Sequence, residues 1–275
     1  MAERAPIHLG SGEPILLLHP FLLSQSVWKY VAPQLAATGR YEVFAPTMAG
    51  HHGGPHAPLL LDVATLADDV ERRLDEIGWC TAHIVGNSLG GWVAFELERR
   101  GRARTLTGIA PAGGWSMHTL AKYEIIAKFM AALPVVLTTA VLRRQLLKLP
   151  LTKQISYVAV SATPDVLNDS DRRDLIDDLA HCPAYFKLMV KALTTAGLME
   201  IENSRTPTQL VICEKDRVLP TPRFTRHFTN SLAPDAVVKT LDGVGHVPMF
   251  EAPDTITRVI TEFVDSHIDQ TRATG

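Results

Sequence analysis

The stretch that decides the fold is residues 82–91, which read AHIVGNSLGG. It begins with a short apolar run typical of a buried strand, and a helical pattern follows from Gly91 to Arg100. Ser88 therefore lies on a tight turn between strand and helix, which strains its backbone and projects its hydroxyl into solvent. The adjacent helix N-terminus favours developing negative charge. The pattern predicts a nucleophile, and the alternative is an ordinary turn with a helix-capping serine.

Two later loops contain the residues that would activate such a serine. An activated serine needs a general base and an acid that orients the base. Asp216 and His246 each follow a predicted strand, as Ser88 does, and the carboxyl edge of an open α/β sheet is where ligands bind. Asp242 lies closer to His246 in sequence, but its position before a glycine is more typical of a turn residue. Asp216 is therefore the preferred acid.

Strands and helices alternate through most of the chain, and several strands are unbroken apolar runs. Such runs are typical of parallel strands covered on both faces. The predicted class is α/β, with a mostly parallel, doubly wound sheet. The candidate strands are 14–18, 41–45, 82–85, 105–110, 208–213 and 237–241, and the candidate helices are 26–37, 61–77, 91–100, 221–230 and 253–267.

With these motifs the chain resembles the α/β-hydrolase family over nearly its whole length. The resemblance rests on the turn around Ser88, on His19-Pro20-Phe21 after an apolar strand, on segment 45–51, and on the loops around Asp216 and His246. It implies Ser88 as nucleophile, His246 as base and Asp216 as acid. It also implies an antiparallel strand near the start, for which residues 7–9 are the candidate.

The resemblance further implies an oxyanion hole formed by the backbone N–H groups of Phe21 and Leu89. Pro20 stands where the family usually has glycine. Because proline has no N–H, the amide of Phe21 is the expected donor. Segment 47–53 follows the family's loop pattern only loosely, which bears on pocket shape rather than on the triad.

The alternation of strands and helices stops between residues 113 and 203, where the pattern is helical only. The resemblance implies a helical cap inserted at 113–203 into a core formed by 1–112 and 204–275. Residues 129–142 contain no charge, but they are fewer than the roughly twenty that span a bilayer, and Pro134 interrupts them. We expect a cap helix that lines an apolar pocket. The alternative is an exposed apolar lid with weak membrane-surface contact.

Large side chains near the predicted loops are candidates for the substrate pocket, although simple packing explains such residues equally often. These candidates are His19, Trp28, Trp92, Trp115, Phe129 and Val247. The histidines at 51, 52 and 56 lack partners at convincing ligand spacing, so no metal site is predicted. The aspartates between 165 and 178 fit a solvated helix better than a calcium loop.

Composition fits one globular enzyme domain. The chain has 275 residues, a net charge of −2 and three widely spaced cysteines. A net charge of −2 provides no positively charged surface that would attract nucleic acid. The odd number of cysteines argues against a disulfide framework. Because residues 1–6 contain no apolar signal region, a cytoplasmic location is expected.

The sequence therefore predicts a serine hydrolase that cleaves a carboxylic ester of a largely apolar small molecule through an acyl-serine, without metal or cofactor. A carbon–carbon bond hydrolase with the same triad is one alternative, and a ligand receptor with slow turnover is another. Epoxide hydrolases and haloalkane dehalogenases of the family are disfavoured because their nucleophile is an aspartate. The leaving group and the oligomeric state are not predicted.

Overall fold

A seven-stranded sheet forms the centre of the molecule. The computed structural model describes residues 3–115, 119–148, 160–163, 165–194, 201 and 204–274. Within them the sheet has the spatial order β1-β3-β2-β4-β5-β6-β7, with β1 antiparallel to β3 and the other neighbours parallel. The predicted mostly parallel α/β sheet is therefore confirmed. The strands are β1 (Ile7–Gly10), β2 (Glu13–Leu18), β3 (Tyr41–Ala45), β4 (Ala82–Asn87), β5 (Ala103–Ile109), β6 (Thr208–Cys213) and β7 (Val237–Leu241).

The central strands are buried on both faces. Successive residues of a strand point to opposite sides of the sheet, so each side receives every second residue. Leu16 and Leu18 of β2 belong to one core cluster, and Ile15 and Leu17 belong to the other. All four side chains are fully buried. A strand that is apolar on both faces needs cover on both faces, which explains why helices lie on either side.

Nine helices lie within the described residues. Residues of α2 and α3 join the first core cluster, and residues of α1 and α9 join the second. Helix α2 begins at a capping box between Asp62 and Thr65. The helices are α1 (Val31–Ala37), α2 (Val63–Glu76), α3 (Leu89–Arg99), α4 (Leu120–Leu142), α5 (Asp169–Ala180), α6 (Ala184–Thr194), α7 (Arg226–Ser231), α8 (Pro248–Glu251) and α9 (Pro253–Thr274).

Two predicted helices are shorter than the sequence pattern suggests. The pattern over 26–37 divides into a 3₁₀ turn at Gln25–Trp28, capped by the Ser24 side chain, and α1. The pattern over 221–230 gives a helix only from Arg226. Residues 221–225, before this helix, form turns, since the prolines at 220 and 222 have no N–H to donate.

The described part of segment 113–203 contains helices and turns and no strand, as the sequence predicts. Helix α4 is followed there by a 3₁₀ turn at Arg143–Lys148, and α5 and α6 come later in the chain. Residues 116–118, 149–159, 164, 195–200 and 202–203 lie outside the described residues. The cap boundaries at residues 113 and 203 therefore stay a prediction from the sequence.

Buried carboxylates attach α5 to the core, which corrects the prediction of a solvated acidic helix. Asp178 is fully buried and accepts hydrogen bonds from the hydroxyls of Ser24 (2.8 Å) and Ser26 (3.1 Å). Burial raises the pKa of Asp178, although these hydroxyls and His52 act in the opposite direction. Lys29 forms an ion pair with Asp171, which is also buried (2.6 Å). Local sequence patterns do not reveal these partners, because Ser24 and Ser26 lie 154 and 152 residues before Asp178 in the chain.

Candidate active site

The turn between β4 and α3 holds Ser88 in a backbone conformation that few non-glycine residues adopt, with φ 54° and ψ −115°. Gly86 and Gly90 are required at this turn because there is no room for a side chain at either position. A Cβ on Gly86 would lie 2.2 Å from the carbonyl oxygen of Gly90, and one on Gly90 would lie 2.3 Å from that of Leu18. The strained turn predicted from the sequence is therefore present, and its geometry depends on the glycines at 86 and 90.

The loops after β6 and β7 bring Asp216 and His246 into direct contact. Nδ1 of His246 lies 2.7 Å from a carboxylate oxygen of Asp216, and both side chains are buried. The other carboxylate oxygen accepts hydrogen bonds from the amides of Val218 and Leu219, each at 2.8 Å. Asp242 is exposed in the turn after β7. Of the two candidate acids, Asp216 is therefore the one paired with the histidine.

The pKa of Asp216 is lower than its ordinary value. Burial by itself would raise this pKa, but the charge and hydrogen bond of His246 and the amides of Leu219 and Val218 outweigh burial. The carboxylate is therefore ionised at neutral pH. An ionised acceptor at Nδ1 fixes the ring and leaves Nε2 as the nitrogen that can take a proton.

Asn87 connects the turn at Ser88 to the backbone of His246. Its Nδ2 donates to the carbonyls of Ile109 (2.9 Å) and His246 (3.0 Å). Ser88 and His246 also border the same cavity. The hydrogen bonds of the described residues do not include one between the Ser88 hydroxyl and the ring, and in unliganded hydrolytic sites that contact often forms only with substrate.

The two amides predicted for the oxyanion hole lie at the cavity wall. Phe21 and Leu89 both border the site, and neither amide donates a hydrogen bond elsewhere in the described part of the chain. The loop at Phe21 is held by His19, whose Nδ1 bonds to the carbonyl of Pro20 (2.9 Å) and whose Nε2 accepts the amide of Met48 (2.9 Å). Two free N–H groups beside a strained serine can stabilise a negatively charged oxygen.

Two apolar cavities meet at Ser88. The larger, of about 530 Å³, lies under α4 and α5, and the smaller, of about 90 Å³, lies between α3, α4 and α6. Phe21, Ser88, Phe129 and Val218 border both. The rings of Phe21 and Phe129 meet edge to face at 5.1 Å, so they separate the two spaces. The cavities form one divided pocket on either side of the serine.

Four of the six predicted pocket residues lie in these cavities. Trp92 and Trp115 line the small cavity, Val247 lines the large one, and Phe129 lines both.

The prediction that Trp28 and His19 line the pocket is wrong. Trp28 is fully buried in the second core cluster, where its size fills volume, and it lines neither cavity. His19 is fully buried and supports the loop by its two backbone contacts. Burial and the neighbouring His51 lower the pKa of His19, so it is neutral in the folded state.

The histidines near residue 50 have structural partners. Burial lowers the pKa of His51 to about 4, and its ring meets that of His19 edge to face at 4.8 Å. His52 instead contacts Asp178 at 3.1 Å. Among the described residues, no group of three His, Cys, Asp or Glu side chains is placed to share a metal ion.

Several residues of the site were absent from the sequence prediction. Asn87 gave no signal because its partners, the carbonyls of Ile109 and His246, lie 22 and 159 residues away along the chain. The amides of Val218 and Leu219 were missed although their partner, Asp216, precedes them by only two and three residues. The cap residues of the large cavity had a weak signal in their helical spacing, which places Phe129, Ala132 and Val136 on one face of α4.

Comparison with known proteins identifies the family of the chain. A model described as the alpha/beta hydrolase family matches residues 15–259. The chain belongs to this family. It is 55% identical over 210 residues to a protein named epoxide hydrolase EphH from Mycobacterium tuberculosis, an alignment that covers 76% of this chain and 98% of that protein.

Solved structures of similar fold include enzymes of other specificities. A thermophilic esterase from Thermogutta terrifontis superposes with a TM-score of 0.75 at 19% identity, covering 96% of this chain and 93% of the esterase. A structure described as a bacterial membrane phospholipase A gives 0.76 at 25% identity, covering 95% of this chain and 82% of that one. Together with the family match, these comparisons support hydrolase activity, but they do not identify the bond that is cleaved.

Proposed function

We propose that the protein hydrolyses carboxylic esters of apolar small molecules through a covalent acyl-serine. One observation carries the proposal. His246, paired with the buried Asp216, and the strained Ser88 border the same apolar cavity, next to two free backbone amides.

The proposed reaction begins when Nε2 of His246 takes the proton of Ser88 as the hydroxyl attacks the carbonyl carbon. Asp216 stabilises the imidazolium that forms. The amides of Phe21 and Leu89 hold the developing oxyanion, and one such donor is worth roughly two to three orders of magnitude in turnover. The imidazolium then protonates the leaving group, and His246 activates water to release the acid.

The divided pocket favours an ester with apolar groups on both sides of its carbonyl. One group occupies the large cavity under α4 and α5, and the other occupies the small cavity beside Trp92 and Trp115. Polar groups are few along both walls, so affinity comes from apolar surface. A medium-length acyl or aryl ester satisfies these conditions.

A series of phosphonate probes of increasing chain length tests the proposal directly. We expect mass spectrometry to find a single label on Ser88, lost in Ser88→Ala and retained in the control Ser204→Ala. Ser204 bonds to Glu98 (2.8 Å) and lines neither cavity. Labelling that survives Ser88→Ala would rule out the mechanism, and labelling independent of chain length would rule out the apolar pocket.

Epoxide hydrolysis is the second candidate, because the 55% identical relative is named an epoxide hydrolase. Ring opening by the Ser88 oxygen would give an ether, which His246 and water cannot hydrolyse, whereas attack by a carboxylate would give a cleavable ester. This chain would therefore have to open an epoxide by direct attack of water activated at His246.

The epoxide oxygen would also need a proton donor. Within the part of the cap that the structure describes, the tyrosine that contacts the site loop is Tyr185, which stacks on Phe21 at 6.0 Å. Its hydroxyl donates to the carbonyl of Phe129 at 2.6 Å, and it lines neither cavity. This contact weighs against epoxide chemistry and leaves ester hydrolysis as the favoured function.

The two candidates differ in their dependence on Ser88. Ester turnover should disappear in Ser88→Ala, whereas epoxide opening by direct water attack should persist in that variant and disappear when His246 is replaced by Gln. Parallel assays of an aryl ester and a styrene-type epoxide on both variants distinguish them. Sustained epoxide turnover in Ser88→Ala, with no ester turnover in the unmodified protein, would reverse our preference.

A further inference from the structure

The outer face of α4 is uncharged along its whole length, which the structure describes completely. Its exposed positions follow each other at intervals of one, three or four residues and so form one stripe. At 1.5 Å per residue the stripe is about 30 Å long. Its members are Leu120, Tyr123, Ala127, Met130, Pro134, Leu137, Thr138 and Val141, and the ninth exposed residue, Ala131, borders the large cavity.

These side chains are well exposed. Val141 is 78% exposed and Leu120 is 75% exposed, while Met130 and Leu137 are each about half exposed. The adjacent α6 exposes three further large apolar residues, Phe186, Val190 and Leu193. Lys122 of α4 donates to the carbonyl of Leu193 (2.8 Å), which places the end of α6 beside the start of α4. An apolar surface of this extent is unusual for a face in water.

The opposite face of α4 already has a function. Phe129 and Val136 line the cavities at Ser88, and Lys122 is buried. By length and composition α4 is apolar enough to cross a membrane, since a stretch of it reaches a mean hydropathy of 2.1. Because its inner face is occupied by the site, only the outer stripe is free to meet another surface.

Charge indicates what that surface is. Helix α4, the following 3₁₀ turn and α6 together contain seven basic residues and one acidic residue, Glu124. Lys122 is buried, Lys128 pairs with Glu124, and Lys191 pairs with Asp62. Arg143 and Arg144 are exposed where α4 ends, although Arg144 also pairs with Asp177. The whole chain, in contrast, has a net charge of −2. The acidic residues of the cap are concentrated on α5, where Asp171 and Asp178 are buried against the core. An apolar stripe that ends at two exposed arginines, Arg143 and Arg144, matches an anionic phospholipid surface.

We propose that the outer face of α4 lies in the plane of an anionic phospholipid bilayer, with its apolar side chains in the headgroup boundary. Arg143 and Arg144, exposed at the end of the stripe, contact the acidic headgroups. The catalytic pocket then lies directly behind the membrane-bound helix. This inference does not depend on which bond the enzyme cleaves.

Vesicle sedimentation of the full-length Ser88→Ala protein tests the proposal, since this variant leaves the lipids intact. The vesicles are phosphatidylcholine alone and phosphatidylcholine mixed with phosphatidylglycerol. We expect binding to the mixed vesicles, weaker binding to phosphatidylcholine alone, and weakening by salt because the charge contribution is screened. Equal recovery in the supernatant with and without mixed vesicles would overturn the proposal.

A variant pair makes the test specific to α4. Met130→Glu with Leu137→Glu places two charges on the stripe at residues that line neither cavity. We expect it to weaken vesicle binding at least about tenfold. The control Val237→Glu with Val238→Glu changes two partly exposed residues of the edge strand β7 and should bind as before.

Two measurements keep these results interpretable. Turnover of a short water-soluble ester, measured with Ser88 intact, should be unchanged by the α4 substitutions if they leave the fold unaltered. Light scattering without lipid shows whether the face joins two copies of the chain. A dimer that the α4 substitutions dissociate, together with absent vesicle binding, would overturn the lipid assignment in favour of self-association.

Discussion

The carboxyl edge of the sheet and helix α4 of the cap are stabilised by different interactions. At the edge, short hydrogen bonds fix Asp216, His246 and Asn87, and a strained turn fixes Ser88. In the cap, α4 contacts the core mainly through apolar side chains around the cavities and leaves an uncharged face outside. Directional contacts hold reacting atoms in place, whereas apolar contacts set only the volume and polarity of a space.

This difference predicts two kinds of mutational effect. Changes at the edge should lower turnover by orders of magnitude without changing which substrates are preferred. Changes in the cap should alter substrate preference and leave turnover of small substrates nearly intact. The four predictions below test this separation, from the largest expected effect to the smallest.

Replacing Asp216 by Asn should lower kcat by about four orders of magnitude. The amide removes the charge that stabilises the imidazolium and favours the wrong histidine tautomer. Steady-state kinetics with an aryl ester measures the loss. Asp242→Asn, in the exposed turn near His246, is the matched control and should retain activity. A comparable loss in both variants would contradict the assignment of the acid.

Acidification should destabilise the edge through His51. The folded state holds the pKa of His51 at about 4 because the ring is buried, while the unfolded chain protonates it near 6.5. The unfolded state therefore binds protons first, and stability is lost as the pH falls from about 6.5 to about 4. For this histidine the total is about 3 kcal/mol.

Urea unfolding at pH values across this window measures the effect. In His51→Gln the loss of stability on acidification should be smaller, with the remainder due to His19 and His83, whose pKa values are also lowered by burial. His56→Gln, at an exposed position, should follow the original curve. Identical pH dependence in all three proteins would show that His51 is not neutralised by burial.

Asn87→Ala should destabilise the fold by about 2 kcal/mol, because it leaves the buried carbonyls of Ile109 and His246 without this donor. Because Asn87 positions the histidine, its replacement should lower kcat by about tenfold and change KM less. Thermal unfolding and kinetics together measure the two effects. Asn230→Ala, on the exposed end of α7, is the control, and an unchanged kcat in Asn87→Ala would remove the positioning role.

Phe129→Ala should merge the two cavities and change selectivity. Without the ring that meets Phe21, longer acyl chains gain space, and their kcat/KM relative to short chains should rise by about tenfold. Aryl esters of graded length measure this ratio. Phe186→Ala removes an exposed phenylalanine of the cap and should leave the ratio unchanged. A general loss of kcat without a change in preference would place Phe129 with the edge residues instead.

Local patterns predicted the strands, the turn at Ser88 and the loops of Asp216 and His246. Each of these signals lies within a few residues, where backbone sterics and burial on both sheet faces act. Patterns of that kind failed where the partner is distant. Asp178 resembled a solvated residue until its contacts with Ser24 and Ser26 were seen, and Trp28 resembled a pocket residue although it fills the core.

The sequence by itself determined the parallel sheet, the strained serine and the order of the three candidate residues, because these follow from local sterics and from the alternation of apolar residues. Only the tertiary structure decided which aspartate pairs with His246, how Phe21 and Phe129 divide the pocket, and which side of α4 faces outward. Those features depend on contacts between segments far apart in the chain, and such contacts exist only once the sheet has assembled.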